Sequence, residues 1–256
     1  MDVLDFRTEE EPGGAEHLLV SWPGLRLGGV SPRPTLDRLA RFRAHKLNIA
    51  ADGHTYIGPR RSLWGARASV DVVRAEMARL GVRRENVIAY GPSVRAVCAL
   101  WMGFQAEVGR IIGGGAPIRM GRRLRTLDRV AGASPEAIAF RDHFLSLADA
   151  DPPASPSDVF FDEMIHDAAR AVTLPTKVHL LVSPDDEMYD DNVELAALFD
   201  RLDPIECHLD VIAYGRHGGV KDAFKRYLTD TLREAGVPRR RAPRAERAPE
   251  PVRSET

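Results

Sequence analysis

The run Val87-Ile88-Ala89-Tyr90-Gly91-Pro92-Ser93-Val94-Arg95-Ala96-Val97-Cys98-Ala99-Leu100 constrains this chain more than any other. A short apolar stretch, read as a buried strand, stops at Gly-Pro-Ser. An alanine-rich segment with helical spacing follows at once. A strand, a sharp turn with serine at its tip and a helix are the setting of a nucleophile elbow. Such a turn lifts the Ser93 hydroxyl above the sheet edge. The helix start then aims N–H groups and a partial positive charge at any oxyanion formed there. The usual pattern is G-x-S-x-G, and here Arg95 stands at its fifth position. A serine in this place also reads as a plain helix N-cap.

The flanking sequence predicts strands alternating with helices. His17–Trp22, Lys46–Ala51, Asn86–Tyr90, Arg110–Gly115, Lys177–Ser183 and Cys207–Ala213 read as strands. Helical spacing appears over residues 36–44, from Ala66 to Leu80 with Gly81 as its C-cap, after Ser93, from Val193 to Leu202, and from Val220 to Ala235. Alternation of this kind predicts an α/β fold, a mainly parallel sheet flanked by helices. Residues 1–15 read as a loosely docked arm and residues 16–236 as the domain. From about 120 to 172 the rhythm breaks, which predicts a helical insertion or cap. The tail from 237 to 256, broken by prolines and charged by arginines, reads as disordered.

Composition narrows the classes. A chain of 256 residues with 44% hydrophobic residues can build one sizeable core. A net charge of −1 gives no bulk attraction to nucleic acid. The acidic N-terminus has no apolar signal core and no apolar run reaches membrane-spanning length, so the default expectation is a cytoplasmic protein with no membrane span. Cys98 and Cys207 read as free thiols, and no residue pattern implies a metal or cofactor. The triple glycine at 113–115 lacks the Gly-Lys-Ser/Thr of a phosphate loop and reads as a chain reversal beside the elbow.

Ligands of parallel sheets bind beyond the carboxyl ends of the strands. Three such ends carry chemistry: Ser93 after the third predicted strand, Asp185-Asp186 after the fifth, and His217 after the sixth. Serine, acid, histidine is the chain order in which an imidazole takes a hydroxyl proton and a carboxylate orients the imidazole. The expected roles are Ser93 nucleophile, His217 base and Asp186 orienter, with Asp185 as the alternative acid. The Val94 N–H and a donor near Trp22 or Gly24 would form the oxyanion hole. His54 lies on a strand-end loop and is a candidate substrate contact. A solvated Asp-Asp turn and an idle loop histidine are the competing readings of the same residues.

Tyr90-Gly-Pro-Ser-Val-Arg-Ala, Ile111-Ile-Gly-Gly-Gly-Ala-Pro117, Ser183-Pro-Asp-Asp-Glu-Met-Tyr189 and Tyr214-Gly-Arg-His-Gly-Gly together resemble a family. It is the bacterial α/β-hydrolase-like proteins of surface-glycan pathways, including capsular polysaccharide biosynthesis proteins and accessory secretory proteins linked to adhesin glycosylation. The resemblance covers roughly residues 17–235. It implies an α/β-hydrolase-like fold and carries the nucleophile, acid and base to Ser93, Asp186 and His217. Asp52 and Tyr56 fall where the family has an Asp and Tyr loop, which makes them substrate-binding candidates. Where the family has Lys-Gly-Gly, this chain has Val94-Arg95-Ala96. An arginine there must point away or open the turn, or else supply charge toward an anionic substrate. The expected function is that of a serine hydrolase of α/β-hydrolase type, acting through an acyl-enzyme on an ester or acyl group of a small molecule, glycan or biosynthetic intermediate. The alternatives are a silent hydrolase-fold binding or assembly subunit and an acyltransferase using the same site.

Overall fold

The computed structural model describes residues 6–22, 39–49, 59–119 and 157–240, and within these the side chains of 59–67 and 157–162 are left aside. Gly24, Asp52, His54, Tyr56 and most of the expected insertion, 120–156, lie outside the described residues.

Seven strands form one sheet. They are β1 Phe6–Glu9, β2 Leu18–Ser21, β3 His45–Ile49, β4 Val87–Pro92, β5 Arg110–Gly114, β6 Thr176–Val182 and β7 Ile205–Val211. Their order is β1-β3-β2-β4-β5-β6-β7. Every pairing is parallel except β1 with β3. The helices are α1 Pro59–Leu80, α2 Val94–Ala106, α3 Ser157–Arg170, α4 Tyr189–Phe199 and α5 Val220–Glu234.

The period of two along each strand splits the core. Leu18 and Val20 of β2, Val87 and Ala89 of β4 and Val178 and Leu180 of β6 join one cluster. That cluster also takes Val70 and Val73 from α1, nearly the whole of α2, Ile165 from α3 and Leu195 and Phe199 from α4. Leu19, Ile88, Ile112 and Leu181 point the other way, onto Phe224, Leu228 and Leu232 of α5. Central strands buried on both faces explain why they read as continuous apolar runs. Among the described residues, no helix is long and apolar enough to cross a membrane.

Register brings the chemistry to one edge. Ser21 lies opposite Tyr90, Pro92 opposite Gly114, Gly114 opposite Leu181 and Val182 opposite Val211. The loops after β4, β6 and β7 therefore leave the same end of the sheet, with β5 between the first two.

Several expectations need correction. The N-terminal arm is not loose throughout: Phe6–Glu9 is the antiparallel edge strand, with Phe6 paired to Ile49. Residues 39–41 form a turn rather than helix. α1 begins at Pro59 and α4 at Tyr189, each earlier than its apolar periodicity. The start of the tail is docked: Val237 is buried, and Arg240 is hydrogen-bonded to the buried Glu11. The rest, 241–256, lies outside the described residues.

Candidate active site

Ser93 sits between β4 and α2 with φ 55° and ψ −134°. This is a left-handed conformation that a residue with a Cβ adopts only when its surroundings impose it. Two contacts do so. The Ser93 N–H donates to the Gly114 carbonyl at 2.6 Å, pinning the turn to the neighbouring strand. Gly91 supplies clearance, because a Cβ on it would lie 2.4 Å from the Arg95 Cβ and 2.8 Å from the Arg95 carbonyl oxygen. The elbow thus keeps its shape with arginine at the fifth position. Arg95 stands in the first turn of α2, partly exposed.

Ser93 precedes α2 but makes no side-chain cap. Its hydroxyl instead meets His217 Nε2 at 2.8 Å. His217 Nδ1 faces Asp186, at 3.1 Å from Oδ1 and 3.2 Å from Oδ2. The Asp186 side chain is fully buried and the His217 ring about a quarter exposed. Nδ1 protonated toward Asp186 and Nε2 open toward Ser93 is the tautomer this arrangement favours. The structure therefore brings together Ser93, Asp186 and His217. Asp185, the alternative acid, is exposed on the same turn, and only its backbone N–H reaches inward, toward Ser183 Oγ at 3.4 Å.

A buried carboxylate needs donors to replace water. Asp186 has them: the Met188 N–H at 2.9 Å on Oδ1 and the Tyr214 hydroxyl at 2.5 Å on Oδ2. Burial and the hydrogen bond to Asp186 hold the Tyr214 phenol well above its usual range, so it stays a donor. The His217 backbone N–H donates to Glu187 at 3.3 Å. Tyr214 and Glu187 were not among the residues singled out by sequence, although the Tyr-x-x-His spacing held a signal for the first. The glycine run also has a different use from the expected reversal. β5 continues through Gly114, and Gly115 turns with φ +54°. A Cβ on Gly115 would lie 3.1 Å from Asp186 Oδ2 and 3.2 Å from the Tyr214 hydroxyl. That glycine leaves room for the acid and its donor.

The other candidates are placed as follows. Val94 opens α2, where a helix has no internal partner for its N–H, so this group can face an oxyanion formed at Ser93. Trp22 follows β2 and is buried in the core, its indole nitrogen without a hydrogen-bond partner. Among the described residues, no group of three His, Cys, Asp or Glu is arranged to hold a metal ion.

Solved structures supply the comparison. A capsule O-acetyltransferase of Neisseria meningitidis serogroup A superposes with a TM-score of 0.64 at 14% identity, over 89% of this chain and 90% of that one. A Pyrobaculum calidifontis esterase gives 0.60 at 13% identity, over 91% and 81%. This chain has the α/β-hydrolase fold. A glycosylation-associated protein complex from Streptococcus agalactiae gives 0.68 at 19% identity, over 90% of this chain, which spans only 44% of that chain. No family model and no curated protein matches the sequence. The Ser93 turn lies at the head of α2, and the segments that carry Asp186 and His217 follow β6 and β7. The geometry can move a proton from Ser93 to His217 while Asp186 balances the charge that develops on the ring.

Proposed function

We propose that the protein is a serine-dependent acyl-group enzyme acting on an ester or acetyl group, with a glycan or a glycan precursor as substrate. The observation that carries this reading is the 2.8 Å approach of Ser93 Oγ to His217 Nε2, backed by Asp186 on Nδ1. Ser93 attacks the acyl carbonyl while His217 takes its proton, and the Val94 N–H faces the oxyanion. Collapse expels the alcohol, which leaves with the proton from His217, and the acyl group stays on Ser93. A water or an acceptor hydroxyl then attacks with His217 as base, and Ser93 is released with its proton restored. A silent binding subunit has no need of this convergence.

Fluorophosphonate labelling tests the reading. Wild-type protein should label and cleave short acyl esters, and Ser93→Ala should do neither. Absence of labelling and of cleavage in the wild type would overturn it.

Acyl transfer is the second reading, favoured by likeness to a capsule O-acetyltransferase along nearly the whole of both chains. Incubation with an acetyl donor, with and without saccharide acceptors, separates the two. Transfer gives acetylated acceptor at the expense of free acetate; hydrolysis gives acetate regardless of acceptor.

A further inference from the structure

The acid of the site is held by a residue from the histidine's own loop. Asp186 Oδ1 is taken by the Met188 N–H, which belongs to the acid's own turn. Oδ2 is taken by the Tyr214 hydroxyl at 2.5 Å, from the loop that also carries His217. Tyr214 is itself fixed on several sides. Its N–H donates to Ser183 Oγ at 3.4 Å, and its ring packs at the margin of the α5 cluster. Its carbonyl lies so close to Gly219 that a Cβ there would be 2.3 Å away. The phenol is thus a fixed strut between the acid loop and the histidine loop.

We infer that Tyr214 is a positioning residue that sets the rotation of the Asp186 carboxylate and, through it, the aim of His217 at Ser93. With Oδ1 and Oδ2 each engaged by one donor, the carboxylate plane is fixed from both ends. His217 Nδ1 then sits almost equally far from both oxygens, at 3.1 and 3.2 Å. A carboxylate relieved of its phenol donor is free to rotate about its remaining contacts. Loss of the hydroxyl therefore loosens the aim of His217 at Ser93. This role for Tyr214 rests on the proposed Ser93–His217–Asp186 chemistry.

The test is Tyr214→Phe in the full chain, which removes one oxygen and keeps the ring. Ester turnover should fall about tenfold in kcat with KM little changed. In an Asp186→Asn background the same substitution should cost nothing further, because no carboxylate is there to position. An unchanged kcat in Tyr214→Phe, or an equal further loss without the carboxylate, overturns the inference. If the wild type neither labels nor turns over, a crystal structure of Tyr214→Phe decides: a rotated Asp186 carboxylate keeps the strut while the acyl-enzyme reading falls, and an unrotated one overturns the inference.

Discussion

Gly91 and Arg95 stand in van der Waals contact across the elbow, so close that a methyl on Gly91 would lie 2.4 Å from the Arg95 Cβ. Of the two glycines usual at such a turn only the first is present, and it alone provides the clearance. The obstruction is not confined to the arginine side chain, since the Arg95 carbonyl carbon and oxygen would lie 2.7 and 2.8 Å from the same methyl. Gly91→Ala should therefore open the turn, cost about 3 kcal/mol of stability and abolish fluorophosphonate labelling. Adding Arg95→Gly should not restore it, because the backbone clash remains. Thermal melts and labelling of the single and double variants check this. Recovery in the double variant would show that the side chain, not the turn backbone, sets the limit.

The two adjacent acids should behave very differently. Asp186 is buried against His217, whereas Asp185 is exposed. An amide at 186 offers a single acceptor oxygen, so an N–H group must face either the Tyr214 hydroxyl or the Met188 N–H. Asp186→Asn should lower kcat by about a thousandfold or more through loss of the oriented imidazole. Asp185→Asn should stay within about twofold of wild type. Steady-state kinetics on an acyl ester decides between them; equal losses would mean that the acid assignment is wrong.

Ser93, Asp186 and His217 could be grouped from the sequence because each lies in the segment after a strand, and parallel strands share one exit edge. The central strand β4 was legible because burial on both faces writes itself as the apolar run Val87-Ile88-Ala89-Tyr90. What escaped depends on pairing between distant residues. β1 is short and partly exposed, held by its register with β3 and by the Thr8 hydroxyl on Glu76 of α1. Arg240 lies in a basic stretch that reads as solvated, yet its counter-charge, Glu11, is 229 positions away. α4 starts before its apolar period because its first turn, Tyr189-Asp190-Asp191, is polar and suits a helix N-terminus. Tyr214 acquires its contact only when the loops after β6 and β7 lie side by side.

The Glu11 cluster should be a stability determinant far from the candidate site. Its carboxylate, nearly buried, accepts three bonds from Arg240 and lies 3.8 Å from the buried Lys46 ammonium. Burial pulls the Lys46 pKa down, and Glu11 works against that pull. Glu11→Gln would strand a buried cation, so a loss of about 3 kcal/mol is expected. Arg240→Ala removes a half-exposed partner and should cost only about 1 kcal/mol. Urea unfolding of both variants measures the difference, and acyl-ester kinetics should be unchanged in each while the protein remains folded.

Acid sensitivity should come largely from His179. The ring is buried, accepts a hydrogen bond from Arg110 at 2.5 Å through Nε2 and stacks on His208 at 5.1 Å. Burial, then the Arg110 and His208 charges, press its pKa down to about 4. An unfolded histidine titrates near 6.5. Between these values the unfolded chain binds a proton that the folded chain refuses, so stability falls as pH drops from about 6.5 toward 4. The shift corresponds to a loss on the order of 3 kcal/mol across that window. His179→Gln keeps an acceptor for Arg110 but cannot take up a proton, so it should flatten most of the dependence. His17, whose pKa burial also lowers, should leave a residual slope. Urea midpoints at pH 7 and pH 5 for wild type and His179→Gln provide the measurement. An equal drop in both proteins would place the acid-sensitive proton elsewhere.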